Sequence, residues 1–521
     1  MNTLTNQANA AQISSSCAAE QVQDETPTPL LDAASCYRAV TARDARFDGV
    51  FFTAVHTTGI YCRPVCSAKT PAATSCSFYG SAAAAEQAGF RPCLRCRPEL
   101  APYALQENLA YAVWQKICAG ALNDGNLENL AQQVGLSSRQ LRRVLQQHFG
   151  VSPIELAQTQ RLLLAKQLLT ETHLPMTEIA FAAGFGSVRR FNATFSARYQ
   201  LAPGNLRKTA AATTLPENSH WISLRLAFRP PFDWPALLGY LASRRMQGIE
   251  IISANEYCRS VRIGNCEGFL RLTAAPRSGD NFLILHLSTS LLPVLQAVLS
   301  RVRELADLDA NPSVIHQNLT QDPLMAKIFP LGLRVPGAFE PYELAIRAIL
   351  GQQVSLAAGN TLCARLIQKF GTAIKDSPWP EIHAHFPRPE VLAETSVDAL
   401  AQLGLPQSRA QTIQTFARFA HEGGLQTHIG QGLQQTLQAM QTLPGIGEWS
   451  ANYIALRALR FPDAFPAGDL VLQKALARLL EPASERLTSK QLSTHAAQWT
   501  PWRGYAALAL WRSMSNLEEK K

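Results

Sequence analysis

Four cysteines and one aspartate carry the chemistry that this sequence can do. The stretch TTGIYCRPVCSAKT holds Cys62 and Cys66, and AGFRPCLRCRPEL holds Cys93 and Cys96. A C-x3-C pair and a C-x2-C pair thus stand 26 residues apart. Two close pairs can put four thiolates at the corners of a tetrahedron, the geometry that Zn2+ prefers. Paired spacing that occurs twice is hard to reach by accident. A closed four-thiolate site is normally structural. Four thiolates on one Zn2+ also leave a net negative centre, with sulfurs that are electron-rich and kept deprotonated, and such a sulfur can attack a methyl group. Arg63, Lys69, Arg91, Arg95 and Arg97 surround the cysteines and could lie on a phosphate backbone. Cys76 falls between the pairs without a partner of its own.

The aspartate lies far downstream. TLPGIGEWSANYIAL spans Thr442–Leu456, and FPAGDLVLQKAL spans Phe465–Leu476. LPGIG between two helical patterns suits a tight hairpin, in which Gly445 and Gly447 allow unusual backbone angles. The amides that open the next helix can hold a phosphate. Asp469 follows Gly447 by 22 residues. On spacing alone two readings stay open: a carboxylate among Trp449, Tyr453 and Trp511 that does chemistry, or a helix N-cap beside core aromatics.

These residues need elements to hold them. LENLAQQVGLSSRQLRRVLQQHFGVSP (Leu127–Pro153) reads helix, glycine turn, helix, with Arg139, Arg142 and Arg143 on the second helix. MTEIAFAAGFGSVRRFNATFSARYQLAP (Met176–Pro203) repeats the arrangement with Arg189 and Arg190. One long helix over Ile154–Thr170 joins the copies. Further on, WISLRLAF, SVRIG, FLRLTA and FLILHLS alternate as strands do, while WPALLGYLASRR and LPVLQAVLSRVREL have helical spacing. Helical patterns dominate from about residue 325.

The chain has 521 residues, too many for one core. Its 47% hydrophobic content fills several, and its formal charge of +9 favours a polyanionic partner. No apolar run is long enough to span a bilayer and no signal-type core opens the sequence, so a cytoplasmic, reducing location is expected, with no membrane partner. The fold class is read as multi-domain α+β. A disordered leader covers 1–34. A small zinc-binding α/β domain covers 35–104, an all-α double helix-turn-helix domain 105–208 and a linker 209–219. A small α+β (TBP-like) domain covers 220–320, and a mainly α helix-hairpin-helix domain 321–515.

The motifs carry resemblances. FFTAVHTTGIYCRPVCSAKT followed by SFYGSAAAAEQAGFRPCLRCRPEL resembles the N-terminal domain of the Ada family of bacterial methylphosphotriester sensors. The resemblance implies one Zn2+ on Cys62, Cys66, Cys93 and Cys96, with Cys62 accepting a methyl from a methylated DNA phosphate. The paired helical motifs resemble the AraC-type DNA-binding domain, whose second helices enter major grooves. This implies promoter DNA and RNA polymerase as partners and the five arginines as DNA contacts.

The last half is similar to the AlkA type of alkyladenine glycosylase, on PPFDWPALLGYLASR, YELAIRAILGQQVSLAAGNTL, LPGIGEWSANYIALRAL and PWRGYAALALW. That resemblance implies Asp469 as the catalytic carboxylate and Trp449, Tyr453 and Trp511 as the base pocket. It implies Leu443, Gly445 and Gly447 as contacts to the DNA backbone and Gln353 as the wedge, where the familiar enzyme has leucine. Gly468 and Leu470 replace an aspartate and a tyrosine beside the catalytic acid. Trp449 stands where lyase-active members carry lysine, so no Schiff base is expected. No cysteine follows Cys363, so no iron–sulfur cluster is expected, and no PCHR motif is present for a second methyl acceptor.

The resemblances together imply a nucleoid-associated bacterial adaptive-response protein. Its front half senses and regulates, and its rear half excises N-alkylated purines such as 3-methyladenine from double-stranded DNA. The other reading is a non-catalytic zinc transcription factor whose glycosylase-like half only binds DNA.

Overall fold

A computed structural model describes residues 32–102, 109–209, 220–277, 279–425, 432–481 and 485–518. The expected leader lies outside the described residues except for 32–34, where Asp32 caps helix α1 (Ala33–Ala42) by accepting from Ser35 N at 2.9 Å. The expected linker lies outside them from residue 210 onward.

The cysteine-rich segment builds a sheet of β1 (Phe52–Val55), β2 (Ile60–Cys62), β3 (Cys76–Tyr79) and β4 (Arg91–Pro92) in the order β3-β1-β2-β4. β1 pairs antiparallel with β2 and β3, whereas β2 and β4 run parallel. A parallel pair needs a crossover, and β3 with helix α2 (Ala82–Gln87) forms it.

Seven helices follow: α3 (Leu109–Cys118), α4 (Leu127–Gln133), α5 (Ser138–Phe149), α6 (Pro153–Glu171), α7 (Met176–Ala182), α8 (Val188–Tyr199) and α9 (Pro203–Thr209). Ser137 with Gln140 and Ser152 with Glu155 form reciprocal capping boxes that start α5 and α6. The joining helix is one residue longer at each end than the sequence pattern marks, because Pro153 is well suited to a first helical position. Leu141, Leu145 and Phe149 bury one face of α5; Phe191, Phe195 and Tyr199 bury one face of α8.

The next domain is a five-stranded antiparallel sheet of β5 (Trp221–Ala227), β6 (Glu250–Ile252), β7 (Glu256–Ile263), β8 (Cys266–Ala274) and β9 (Phe282–Ser288), ordered β5-β9-β8-β7-β6. Helices α10 (Trp234–Ala242) and α11 (Leu295–Leu305) accompany it. Strand β6, three residues without alternation, has no signature in the sequence.

β5 is an edge of this sheet, and an open edge invites foreign pairing. Here α6 covers it: Gln167 Nε2 donates to the Arg225 carbonyl at 2.9 Å, and Arg225 N donates to Glu171 Oε2 at 3.0 Å. Leu162 and Leu168 of α6 and Phe191 and Phe195 of α8 share one buried cluster with Leu224, Leu285 and Leu287 of the sheet. The fully buried Arg229 closes the junction. Its guanidinium donates to the carbonyls of Asp48 (3.0 Å), Pro102 (3.1 Å) and Asp309 (2.6 Å), which belong to three different segments.

Among the described residues, twelve more helices make the last domain around a single large cluster. They are α12 (Pro312–Leu319), α13 (Pro323–Ile328), α14 (Pro341–Leu350), α15 (Leu356–Phe370), α16 (Pro389–Glu394), α17 (Val397–Ala401), α18 (Gln407–His421), α19 (Leu433–Gln441), α20 (Glu448–Arg457), α21 (Leu470–Leu480), α22 (Ser489–Ala496) and α23 (Arg503–Glu518). A short strand pair, Thr372–Ala373 with Ala384–His385, interrupts them. Among the described residues no helix is long and apolar enough to cross a membrane.

Candidate functional site

The sequence-distant cysteine pairs meet because of the β2–β4 pairing. Tyr61 lies opposite Pro92, and Cys93 N donates to the Tyr61 carbonyl at 3.0 Å, so Cys62 and Cys93 end neighbouring strands side by side. A tight turn in which Cys66 N donates to Arg63 O at 3.1 Å brings the second thiol round. The Sγ atoms of Cys62, Cys66, Cys93 and Cys96 lie within 4.8 Å of one another. Zinc–sulfur bonds of about 2.3 Å place sulfurs about 3.8 Å apart, so the four-thiolate set fits one Zn2+. Cys76 stays outside the cluster and donates to the Ala72 carbonyl at 3.3 Å.

Two of the arginines read as phosphate contacts face inward instead. Arg63 N donates to Cys96 Sγ at 3.4 Å, and its guanidinium donates to the Cys96 carbonyl at 3.1 Å while pairing with Asp48. Arg97 pairs with Glu99 at 3.0 Å and Glu171 at 2.7 Å. Buried carboxylates claim both, a partnership that local charge counting does not see. Lys69 and Arg95 remain exposed, and Arg91 is half-buried. Lys166 of α6 donates to the Cys93 carbonyl at 3.0 Å and pairs with Glu99 at 2.6 Å, which fastens the quartet to the helix-turn-helix domain.

Arg139, Arg142 and Arg143 on α5, and Arg189 and Arg190 on α8, are all exposed. Each helix thus turns basic residues outward and leucine or phenylalanine inward.

In the last domain the hairpin lies between α19 and α20. Leu443 is half-buried, Ile446 is buried, and Gly445 and Gly447 are exposed. Gly445 has φ +83°, and a Cβ there would meet Thr412 Oγ1 of α18 at 2.0 Å, so only glycine fits. Gly447 starts α20 without a side-chain cap, which leaves its first amides open to a phosphate oxygen.

Asp469 opens α21, where the N-cap geometry and the aromatic surroundings coincide. Oδ1 caps the helix, accepting from Val471 N at 2.9 Å and Leu472 N at 3.0 Å. Trp511 Nε1 also donates to Oδ1, at 3.1 Å, and Trp449 Nε1 donates to Oδ2 at 2.9 Å. Trp449 and Tyr453, one turn apart on α20, stack with centroids 5.2 Å apart and planes 11° apart; Trp511 of α23 meets Tyr453 edge-on at 6.2 Å.

Sequence reasoning missed the layer beneath. The buried Arg457 donates to Tyr453 Oη at 2.7 Å and to Tyr240 Oη at 3.4 Å, and Arg244 lies 3.9 Å over the Tyr240 ring. Burial alone would raise the Tyr453 phenol, but Arg457, Arg244 and Arg347 outweigh it and bring it down to about 7. Gln353 sits exposed in the turn between α14 and α15 with φ +54°, flanked by the exposed Val354 and Leu356.

Family models match residues 35–99 ("Metal binding domain of Ada"), 130–209 ("Helix-turn-helix domain"), 223–340 ("AlkA N-terminal domain") and 346–501 ("HhH-GPD superfamily base excision DNA repair protein"). The chain is 37% identical over 489 residues to a Mycobacterium tuberculosis "Probable bifunctional transcriptional activator/DNA repair enzyme AlkA", covering 92% of this chain and 96% of that protein. It is 36% identical over 286 residues to the "DNA-3-methyladenine glycosylase 2" of Escherichia coli, 55% of this chain and 95% of that one. It is 41% identical over 117 residues to the "Bifunctional transcriptional activator/DNA repair enzyme Ada" of Escherichia coli, 22% of this chain and 33% of that one.

Proposed function

Because the chain belongs to the family of bifunctional transcriptional activator/DNA repair AlkA proteins, we propose that it meets DNA alkylation at both ends, by methyl acceptance at Cys62 and by base excision at Asp469. Its glycosylase half is of the 3-methyladenine glycosylase type, and its quartet is a zinc site of the Ada kind.

One observation carries the excision reading: a single carboxylate held by two indole N–H groups and two backbone amides, at the mouth of a stacked aromatic pair. A purine alkylated at a ring nitrogen is cationic once flipped out of the helix, and aromatic faces attract cations by about 0.5–2 kcal/mol. Such a base already leaves well and needs no strong acid. The sugar that remains is oxocarbenium-like, and Asp469 stabilises it and orients the attacking water. With Trp449 at the lysine position, water is the nucleophile and no Schiff base forms. Trp449, Tyr453 and Trp511 take the base, the amides after Leu443, Gly445 and Gly447 take the backbone, and Gln353 fills the gap in the stack.

At the front, Cys62, Cys66, Cys93 and Cys96 would hold Zn2+, which would keep the Cys62 sulfur deprotonated and electron-rich. The Cys62 sulfur attacks the methyl carbon of a neutral phosphotriester. The new S–C bond replaces the C–O bond, and the phosphate departs as an ordinary diester anion. Methylation of Cys62 would remove one negative charge from the four-thiolate set, so its repulsion from DNA would fall and promoter binding through Arg139, Arg142, Arg143, Arg189 and Arg190 would tighten. RNA polymerase is then the partner, at nucleoid DNA in the cytoplasm.

The deciding experiment is base release from methylated duplex DNA by the wild-type protein and by Asp469→Asn. Release that depends on Asp469 supports the reading. A carboxylate that only caps α21 leaves release unchanged or absent, which is the outcome of the DNA-binding alternative.

A further inference from the structure

Two adjacent glutamines in the turn between α14 and α15 do opposite things. Gln353 is exposed, in a left-handed conformation uncommon for any residue but glycine. Gln352 reaches across to the hairpin: its Nε2 donates to the Gly445 carbonyl at 3.0 Å and to Ser450 Oγ at 2.8 Å. The first acceptor lies in the phosphate-holding hairpin. The second is buried in the first turn of α20, one residue after Trp449. Gly445 also lies close against Thr412 of α18, where an added Cβ would meet Thr412 Oγ1 at 2.0 Å.

We propose that Gln352 is a positioning residue which locks the wedge turn to the hairpin, so that grip on the DNA backbone drives the wedge into the stack. The inference rests on the glycosylase reading above and goes beyond it by naming what couples the two contacts. Flipping a base costs a few kcal/mol, and that cost must be offset by contacts made elsewhere on the DNA. A turn free to slide against the hairpin would let the backbone bind while the wedge stays out. One side chain bridging hairpin, wedge turn and α20 removes that freedom.

The test uses the full chain and separates coupling from folding. Gln352→Met keeps the side chain's length and packing and removes both donors. Single-turnover release of 7-methylguanine is measured from a fully paired duplex and from the same strand with the lesion opposite an abasic site, where the base has no pairing partner and costs less to flip. Losing two neutral hydrogen bonds predicts about a tenfold fall on the paired substrate and less than about a twofold fall on the other. Equal falls on both substrates, or none on either, overturn the proposal. A second readout needs no catalysis. In an Asp469→Asn background, the fluorescence of a 2-aminopurine beside the lesion reports flipping, and adding Gln352→Met lowers it. Unchanged fluorescence overturns the coupling. A wild type that flips yet never excises overturns the glycosylase reading alone.

Discussion

Trp449 donates its indole N–H to Oδ2 of Asp469 at 2.9 Å, from a helix that begins 21 residues earlier in the chain. The ring that gives this hydrogen bond is also the ring stacked on Tyr453. On the excision reading proposed above, base binding and carboxylate aim would share one side chain, and a base that displaces the indole would also free Oδ2 toward the sugar.

That geometry sets what Asp469→Asn removes. An asparagine Oδ1 still accepts from Val471 N and Leu472 N, so α21 keeps its cap. What is lost is the negative charge opposite the developing cation, together with the Oδ2 acceptor of Trp449, since an amide nitrogen cannot accept from the indole N–H. Single-turnover release is expected to fall by about 10²–10³ or more, with duplex affinity within about twofold. Trp449→Phe keeps the stack and loses the donor, and a fall of about tenfold is expected.

At the quartet, intact-protein mass spectrometry after incubation with alkylated DNA should find one added methyl, on Cys62. Cys76→Ala should still acquire it, since Cys76 lies outside the sulfur cluster. Cys62→Ala should not. Chelation should lower the melting temperature, because four close sulfurs that share no cation lose the bonds which tie β2 to β4. Methyl transfer to any other cysteine would contradict the assignment.

The motifs were legible because each depends on short-range spacing. The C-x3-C and C-x2-C pairs, LPGIG and the alternating runs of β5, β8 and β9 are local patterns, and local patterns survive in a linear reading. What the sequence hid is what depends on pairing at a distance. Arg63 and Arg97 look like phosphate contacts until Asp48, Glu99 and Glu171 are brought to them. Arg457 lies in a run of helix formers, and nothing local ties it to Tyr240, 217 residues away. Strand β6 exists only because β7 is there to pair with it.

Arg229 offers a test of how firmly the two halves are joined. Arg229→Met keeps volume but leaves the carbonyls of Asp48, Pro102 and Asp309 without this donor. An unsatisfied buried group costs about 1–3 kcal/mol, so a loss of about 3–5 kcal/mol is expected. Calorimetry should show one unfolding transition of the wild type divide into two, since this junction joins front and rear halves.

His385 sets an acid limit. Burial, and then Arg262, Arg259 and Arg388, hold its imidazole down to about 4, against an ordinary 6.5, although Glu267 lies 3.7 Å away. The unfolded chain thus binds a proton that the native chain refuses. Stability should fall as pH drops from about 6.5 toward 4, and the slope should lessen in His385→Gln. Denaturant midpoints at pH 7 and pH 5 measure it.

The two exposed basic helices α5 and α8 are held apart by α6, whose 19 residues make a rod about 28 Å long. The rod is locked at its end: Lys166 to Glu99 and the Cys93 carbonyl, Gln167 and Glu171 to β5. Successive major grooves on one face of B-DNA lie about 34 Å apart, which suits two exposed basic helices on such a rod. A rigid reader predicts a specific response to spacing. Five base pairs inserted between the half-sites turn the second groove away and should abolish the contribution of Arg189 and Arg190. Ten base pairs restore the face but lengthen the span by a full turn, and a rod that cannot stretch should not recover it. Footprinting with Arg190→Ala as the control distinguishes the cases, because recovery at ten base pairs would require a hinge within α6.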